Sequence, residues 1–128
     1  MTARILVADD DDLMRTFIVL NLETIGVKEV VEATNGLQAW SLVKQHDFDL
    51  VLIDWHMPGK SGLEIIRQIR SHDSEVPILM VTAEAVRGQV LEALQSGATD
   101  YLVKPFEADK LRAKVVKLLE KKLGAPQK

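Results

Sequence analysis

The sequence has no cysteine and no long hydrophobic run. Without cysteine there is no disulfide framework and no thiolate metal site. The longest apolar stretches have the length of a strand, so none is long enough to cross a membrane. The first residues, Met1-Thr2-Ala3-Arg4, lead directly into an apolar stretch with no signal peptide before it. We therefore expect a cytoplasmic protein with no membrane association.

Most of the chain also lacks a surplus of positive charge. The net charge is −3, and the first 106 residues carry nine Lys/Arg against sixteen Asp/Glu, whereas residues 107–128 carry seven against three. The acidic body argues against nucleic acid as a direct partner. We interpret the basic last stretch as the solvated face of a helix rather than as a binding patch.

One stretch organises the rest of the chain. Leu50 to Ile53 are four apolar residues in a row, which is typical of a strand buried on both faces of a parallel sheet. Asp54 follows directly, and Pro58-Gly59 marks a turn just beyond. A carboxylate at the carboxyl end of a central strand lies where open α/β sheets bind ligands. From this stretch alone, a loop cap is an equally good interpretation of Asp54.

Strands and helices are predicted to alternate five times. The strands are predicted near residues 4–8, 27–32, 50–53, 78–82 and 101–103, and the helices near 12–25, 36–48, 62–72, 85–96 and 107–123. The predicted inward-facing helix positions include Phe17, Ile18, Leu37, Trp40, Val43, Val90 and Leu94. The predicted N-caps of the first three helices are Asp11 or Asp12, Asn35, and Ser61 in a capping box with Glu64. This alternation predicts one α/β domain, a doubly wound parallel sheet with helices on both faces.

Polar side chains follow four of the predicted strands. They are Asp9 and Asp10 after the first strand, Asp54 after the third, Thr82 at the end of the fourth and Lys104 after the fifth. Because the carboxyl ends of parallel strands share one edge, these residues are expected to converge. The steps from Asp10 to Asp54, Thr82 and Lys104 are 44, 28 and 22 residues, which match two, one and one β/α units.

Such a cluster suits phosphoryl chemistry with a divalent metal. Three neighbouring carboxylates repel each other and raise their pKa values unless a cation relieves them. Mg²⁺ prefers carboxylate oxygens and water. An ammonium and a hydroxyl beside it could stabilise the charge on a transferring phosphoryl group, and a carboxylate could be the nucleophile.

Four stretches give the chain a family resemblance. It resembles the receiver domain of two-component response regulators and is most similar to the stand-alone chemotaxis type. The stretches stand in family order and at family spacing over nearly the whole chain: Ile5-Leu6-Val7-Ala8-Asp9-Asp10, Asp54-Trp55-His56-Met57-Pro58-Gly59, Met80-Val81-Thr82-Ala83-Glu84-Ala85 and Tyr101-Leu102-Val103-Lys104-Pro105-Phe106. The resemblance implies a flavodoxin-like (βα)5 fold of strand order 2-1-3-4-5, with the receiver domain at 1–123.

The resemblance also implies roles at the site. Asp54 matches the phosphoacceptor, which receives a phosphoryl group from a sensor histidine kinase or phosphotransfer protein. Asp10 matches a direct Mg²⁺ ligand, Asp9 a ligand that usually acts through water, and the backbone carbonyl of His56 the third protein ligand. Lys104 matches the phosphate-binding lysine. The domain would be no enzyme beyond its own phosphorylation and dephosphorylation.

The same resemblance implies a switch. Thr82 matches the switch hydroxyl and Tyr101 the switch aromatic, and the Lys104-Pro105 bond is usually cis in this family. The downstream target would be controlled through the face built from the fourth helix, fifth strand and fifth helix. His56 stands where the chemotaxis protein has Asn; together with Glu84 it matches the positions that tune self-dephosphorylation.

Three alternative interpretations of the sequence compete with a stand-alone phosphorylated receiver. A phosphohydrolase of the haloacid dehalogenase type needs a second Asp two residues after the nucleophile, where His56 stands. A degenerate receiver that only binds partners would not need the complete set of site residues. The third rival is a receiver excised from a longer response regulator or hybrid kinase, for which residues 124–128 would be either a tail or the start of a linker.

Overall fold

The computed structural model describes residues 3–58, 60–83 and 87–123. Strands and helices alternate along this part of the chain. The strands are β1 (Arg4–Ala8), β2 (Glu29–Ala33), β3 (Leu50–Asp54), β4 (Ile78–Thr82) and β5 (Asp100–Val103). The helices are α1 (Asp12–Thr24), α2 (Gly36–Gln45), α3 (Gly62–His72), α4 (Arg87–Ser96) and α5 (Ala108–Leu123). No helix in the described ranges is long and apolar enough to span a bilayer.

The five strands form one parallel sheet in the order β2-β1-β3-β4-β5, which confirms the predicted fold. β3 is the central strand, and all five of its residues are buried. Its neighbour β4 is equally buried, whereas β2 and β5 at the edges are partly exposed. The unbroken apolar run in β3 therefore reflects its position between two strands and two layers of helices.

Side chains of each strand alternate between two apolar layers. In β1, Ile5 and Val7 pack on one face with residues of α1 and α5, including Ile18 and Val115. Leu6 and its partners face the other layer, which is built from α2, α3 and α4. The helices therefore cover both faces of the sheet and leave its carboxyl edge for the polar side chains.

The predicted helix starts are present as side-chain caps. The Asp11 carboxylate accepts hydrogen bonds from the main chain at the start of α1 and is its N-cap, as predicted for Asp11 or Asp12. Asn35 caps α2 in the same way. Ser61 and Glu64 form a reciprocal capping box at α3, and these hydrogen bonds from Ser61 lower the pKa of Glu64.

Two helices end at a glycine with a positive φ angle. Gly26 follows α1 with φ +90°, and the Val27 N–H donates to the Leu22 carbonyl at 3.1 Å. Gly97 follows α4 with φ +123°, and the Ala98 N–H makes the equivalent bond at 2.9 Å. This is the Schellman arrangement, in which a left-handed residue lets the last carbonyls be satisfied. Because Val27 belongs to this helix end, β2 begins at Glu29 and not at Val27 as predicted.

Three predicted inward positions are wrong. Phe17, Leu37 and Leu94 are 38%, 59% and 37% exposed. Beside Phe17 the predicted Ile18 is buried, whereas in α2 and α4 the adjacent Gly36 and Ala93 are buried in place of Leu37 and Leu94. Glycine and alanine add little to a hydrophobic pattern, so the pattern does not predict these two inward positions. The predicted Val43 is buried, and Trp40 and Val90 pack partly buried against the core. Residues 85–86, the predicted start of the fourth helix, and 124–128 lie outside the described residues.

α3 begins in close contact with the end of β3. The Gly62 N–H donates to the Trp55 carbonyl at 2.9 Å. A Cβ atom at Gly62 would stand 2.9 Å from both the Asp54 carbonyl oxygen and the Trp55 Cα. Both of these atoms belong to the backbone and cannot rotate away. The start of α3 therefore depends on a residue without a side chain.

Gly62→Ala is expected to destabilise the protein by roughly 1–3 kcal/mol, because α3 must move off β3 to make room. The matched control is Gly88→Ala in the first turn of α4, where nothing lies within 4 Å of the added Cβ. The control should be neutral or stabilise by up to ~1 kcal/mol through helix propensity. Urea unfolding of the three proteins measures both effects, and equal stability of the two variants would contradict the close approach.

Candidate functional site

The sheet register brings the predicted site residues to one edge. Asp54 is the last residue of β3 and Thr82 the last residue of β4, while Asp9 and Lys104 directly follow β1 and β5. The Lys104 N–H continues the β4–β5 ladder by donating to the Thr82 carbonyl at 2.7 Å. The Asp9 N–H likewise donates to the Ala33 carbonyl at 3.0 Å. The sheet thus holds the main chain of these residues in place.

Three carboxylates converge at this edge. Asp9, Asp10 and Asp54 each place a carboxylate oxygen within 4.8 Å of the others. Asp9 is 1% and Asp54 7% exposed, whereas Asp10 is open to solvent. Two buried carboxylates and one exposed carboxylate form a pocket of hard oxygen donors that opens on one side, which is a donor set that could hold Mg²⁺.

Lys104 joins the two buried carboxylates. Its Nζ lies 3.0 Å from Asp9 Oδ2 and 3.4 Å from Asp54 Oδ2. Burial alone would lower the pKa of Lys104, but the hydrogen bond that Lys104 donates to Asp9 and the charges of Asp54 and Asp9 outweigh it, so the pKa is raised. The lysine therefore stays positively charged beside the acids.

The ionised form of Asp54, by contrast, is disfavoured by its surroundings. Burial is the main reason that its pKa is raised, the charge of Lys104 opposes this, and the charge of Asp9 adds to it. A hydrogen bond from the His56 backbone N–H also favours the ionised form without reversing the shift. Because Asp54 is desolvated and faces another acid, its carboxylate favours any additional positive charge at the open side.

The opening of the site is a groove of about 280 Å³. Asp10, Trp55, His56, Met57, Pro58 and Ser61 line it. Trp55 is buried, whereas the side chain of His56 is exposed. His56 therefore stands where a molecule approaching the carboxylates would pass it. Glu84, the other residue predicted to tune dephosphorylation, lies outside the described residues.

The two predicted switch residues differ in environment. Thr82 is buried at 1% exposure, whereas Tyr101 is 36% exposed. Tyr101 pairs with Met80 in the β4–β5 ladder. The Lys114 ammonium lies over the Tyr101 ring, 5.8 Å from the ring centroid. The Tyr101 ring is therefore directed to the surface. The Lys104-Pro105 peptide bond is cis, as the resemblance implied.

One residue near the site was not singled out from the sequence. Arg15 in α1 donates from its guanidinium to the Asp9 carbonyl at 2.8 Å. An arginine at the sixth position after an acidic residue carries no recognisable signal by itself, since only the turn from β1 into α1 brings the two together.

Comparison with known proteins agrees with the fold and the sequence motifs. The model of the response regulator receiver domain family matches residues 5–116. The chain is 41% identical to chemotaxis protein CheY-3 of Vibrio cholerae over 120 residues, 92% of each chain. It is 39% identical to chemotaxis protein CheY of Pseudomonas aeruginosa over 123 residues, which cover 94% of this chain and 99% of the relative.

Solved structures give the same result. The chemotaxis response regulator CheY4 of Vibrio cholerae superposes with a TM-score of 0.86 at 31% identity, covering 92% of this chain and 99% of the other. A CheY-like receiver domain protein of Methanospirillum hungatei superposes with a TM-score of 0.90 at 26% identity, covering 96% and 98%. The likeness therefore extends over the whole fold.

Asp54→Asn is expected to stabilise the metal-free protein at pH 7, because it removes a buried charge whose pKa is raised mainly by burial. Lys104 keeps its shorter contact to Asp9 and is not left unpaired. The gain should shrink as the pH falls through the raised pKa of Asp54, since the wild-type carboxyl is then neutral too. Thermal unfolding in a chelating buffer measures it.

The matched control is Asp47→Asn, which makes the same charge change at an exposed position. Its free energy of unfolding should stay within the range of ordinary surface substitutions, about 0.5 kcal/mol either way from the wild type. An Asp54→Asn variant no more stable than this control would show that burying the Asp54 charge costs nothing.

Proposed function

The chain belongs to the response regulator receiver domain family, and we propose that it is a phosphorylation-activated signalling switch whose phosphoacceptor is Asp54. The observation that carries the proposal is the buried Asp54 carboxylate, with the Asp9 and Asp10 carboxylates within 4.8 Å of it and the Lys104 ammonium at 3.4 Å. In this arrangement one buried acid has two further carboxylates and one ammonium group close to it. We propose that the protein works in the cytoplasm and binds neither nucleic acid nor membrane directly.

The donor in this proposal is a phosphohistidine of a sensor histidine kinase or phosphotransfer protein. A carboxylate oxygen of Asp54 forms a bond to phosphorus while the nitrogen–phosphorus bond breaks, and that electron pair stays on the departing imidazole. The product is an acyl phosphate. Lys104 already contacts Asp54 and can neutralise phosphoryl oxygens without large movement. Apart from its own phosphorylation and dephosphorylation, the domain would catalyse nothing.

Asp9, Asp10, Asp54 and the backbone carbonyl of His56 would hold Mg²⁺. All of these ligands offer oxygen, which is what this ion requires. When bound, Mg²⁺ would neutralise negative charge on both the acids and the phosphoryl group. The exposure of Asp10 leaves the ion a route from solvent. The ion would also relieve the unfavourable proximity of Asp54 to Asp9.

The readout in this proposal begins at Thr82. A phosphoryl group adds roughly −1.5 to −2 charge at pH 7 and three strong acceptor oxygens. Thr82 is drawn toward it to donate its hydroxyl, and the space this leaves lets Tyr101 turn inward from its exposed position. Phosphate biases the two packings only through these differential contacts. His56 and Glu84 are proposed to tune how fast water removes the phosphate.

The output surface is the α4–β5–α5 face. Its apolar residues Leu91 and Tyr101 are 52% and 36% exposed. Lys114 of α5 forms an ion pair with Asp100 at 2.9 Å and also lies over the Tyr101 ring. Inward rotation of Tyr101 would give up its contact with Lys114 and change the shape and charge of this face. A downstream partner would read that change, whether on a separate protein or on an output domain of a longer chain.

Incubation with acetyl phosphate and Mg²⁺ is expected to add one phosphoryl mass, observed by intact-protein mass spectrometry and labile as an acyl phosphate. Asp54→Asn should abolish it, because Asp54 supplies the carboxylate that is proposed to form the bond to phosphorus. Excess chelator should also abolish it. Asp47→Asn is the control and should be labelled like the wild type. Equal labelling of Asp54→Asn would overturn the assignment of the phosphoacceptor.

Thr82→Ala is expected to accept phosphate on Asp54 but to lose most of the response at the output face, since its hydroxyl makes the connecting hydrogen bond. Amide resonances of residues 83–106 measure the response. In the wild type they should shift on phosphorylation more than those of residues 35–46. If the largest distant changes fall on 35–46 instead, the output surface lies on the other side of the molecule.

A further inference from the structure

Arg15 connects three segments around the acidic site. Its guanidinium donates to the Asp9 carbonyl oxygen at 2.8 Å, to Asp12 Oδ1 at 2.6 Å and to Glu32 Oε1 at 2.9 Å. These acceptors belong to the end of β1, the first turn of α1 and β2. The Arg15 side chain is only 13% exposed. Its rigid planar fork of donors can reach acceptors in several directions at once, whereas a lysine offers a single compact ammonium group.

Asp9 is held at three atoms by three different groups. Arg15 binds its carbonyl oxygen, the Asp11 N–H donates to Oδ1 at 2.9 Å, and Lys104 donates to Oδ2 at 3.0 Å. The Asp9 carbonyl is part of the planar peptide group that leads to Asp10. Arg15 therefore orients the peptide plane from which the Asp10 side chain departs.

Asp10 depends on this main-chain restraint. Its side chain is exposed and makes no hydrogen bond or ion pair with any residue in the described part of the chain. The direction of its carboxylate is therefore set by the backbone and by its own rotamer. Since Asp10 is the exposed member of the carboxylate cluster, the geometry of the cluster depends on the peptide that Arg15 holds.

Arg15 is firmly charged where it stands. The hydrogen bond with Asp12 is the main cause of its raised pKa; burial opposes it, and Glu32 adds to it. It is thus a second cation near the acidic cluster, but it contacts the peptide oxygen of Asp9 and not a carboxylate of the cluster. Arg15 therefore acts on the site by fixing the main chain, and not by pairing with a carboxylate of the cluster.

We propose that Arg15 is a positioning residue for the divalent-metal site: by holding the Asp9–Asp10 peptide it preorganises the Asp9 and Asp10 carboxylates for the ion. The inference rests on the proposed function, because metal binding is part of it. Residues that orient the ligands of a metal typically change its affinity by about 10–100-fold when they are replaced.

Position and charge predict opposite effects of removing Arg15. As a charge, Arg15 repels a divalent cation nearby, so its loss would tighten Mg²⁺ binding. As a positioning residue it arranges the ligands, so its loss would weaken binding. The direction of the change therefore distinguishes the two, and a residue that supports only folding would alter stability without altering affinity.

The experiment is isothermal titration of the full chain with MgCl2, with urea unfolding measured in parallel. Arg15→Ala is expected to raise the dissociation constant about tenfold. Arg15→Lys keeps the charge but loses the fork, and should remain several-fold weaker than the wild type. Glu32→Gln is the control: its amide oxygen can still accept from Arg15 while one charge is removed, so its affinity should stay within about twofold of the wild type.

The outcomes distinguish a failure of the proposed Mg²⁺ site from a failure of the proposed role of Arg15. If the wild type does not bind Mg²⁺, the proposed function fails at its metal. If the wild type binds and Arg15→Ala binds equally well or more tightly, the positioning role is overturned, even where that variant is less stable. Should Arg15→Ala not fold, wild-type affinity in Arg15→Lys overturns the role in the same way.

Discussion

The burial of like charges at one edge of the sheet is the constraint on which the rest of the site depends. Asp9 and Asp54 are almost completely buried and face each other, and Asp10 adds a third carboxylate at the surface. Lys104 contacts both buried acids but neutralises only part of the cluster. The remaining negative charge is what makes the site suitable for a divalent cation. Burial is the main cause of the raised pKa of Asp54, and the charge of Asp9 adds to it.

Such a cluster can exist only on a rigid scaffold. β3 and β4 are buried along their whole lengths between two apolar layers, so the favourable burial of aliphatic side chains offsets the cost of desolvating the acids. Ladder bonds extend beyond the strands to Asp9 and Lys104 and fix their backbones. Gly62 lets α3 begin directly against β3, which closes one side of the same edge.

The proposed output surface, the α4–β5–α5 face, is less buried than the acidic site. Leu91, Leu94 and Tyr101 are exposed there. The Tyr101 ring contacts the Lys114 ammonium and is not enclosed by core side chains. Side chains with few buried contacts can change position at low cost in free energy, whereas those of β3 cannot. β4, which ends at the buried Thr82, lies between β3 of the acidic site and β5 of this more loosely packed surface.

The sequence by itself determined the α/β alternation, the parallel sheet and the set of residues at its carboxyl edge, because buried strands and their polar ends are encoded locally. It also determined the caps Asn35 and Ser61, which act within one turn of helix. Only the tertiary structure decided that Gly36 of α2 and Ala93 of α4 face inward, since these residues carry almost no hydrophobic signal. It alone also brought Arg15 onto the Asp9 carbonyl, because that contact depends on how the chain turns from β1 into α1 and where β2 lies beside them.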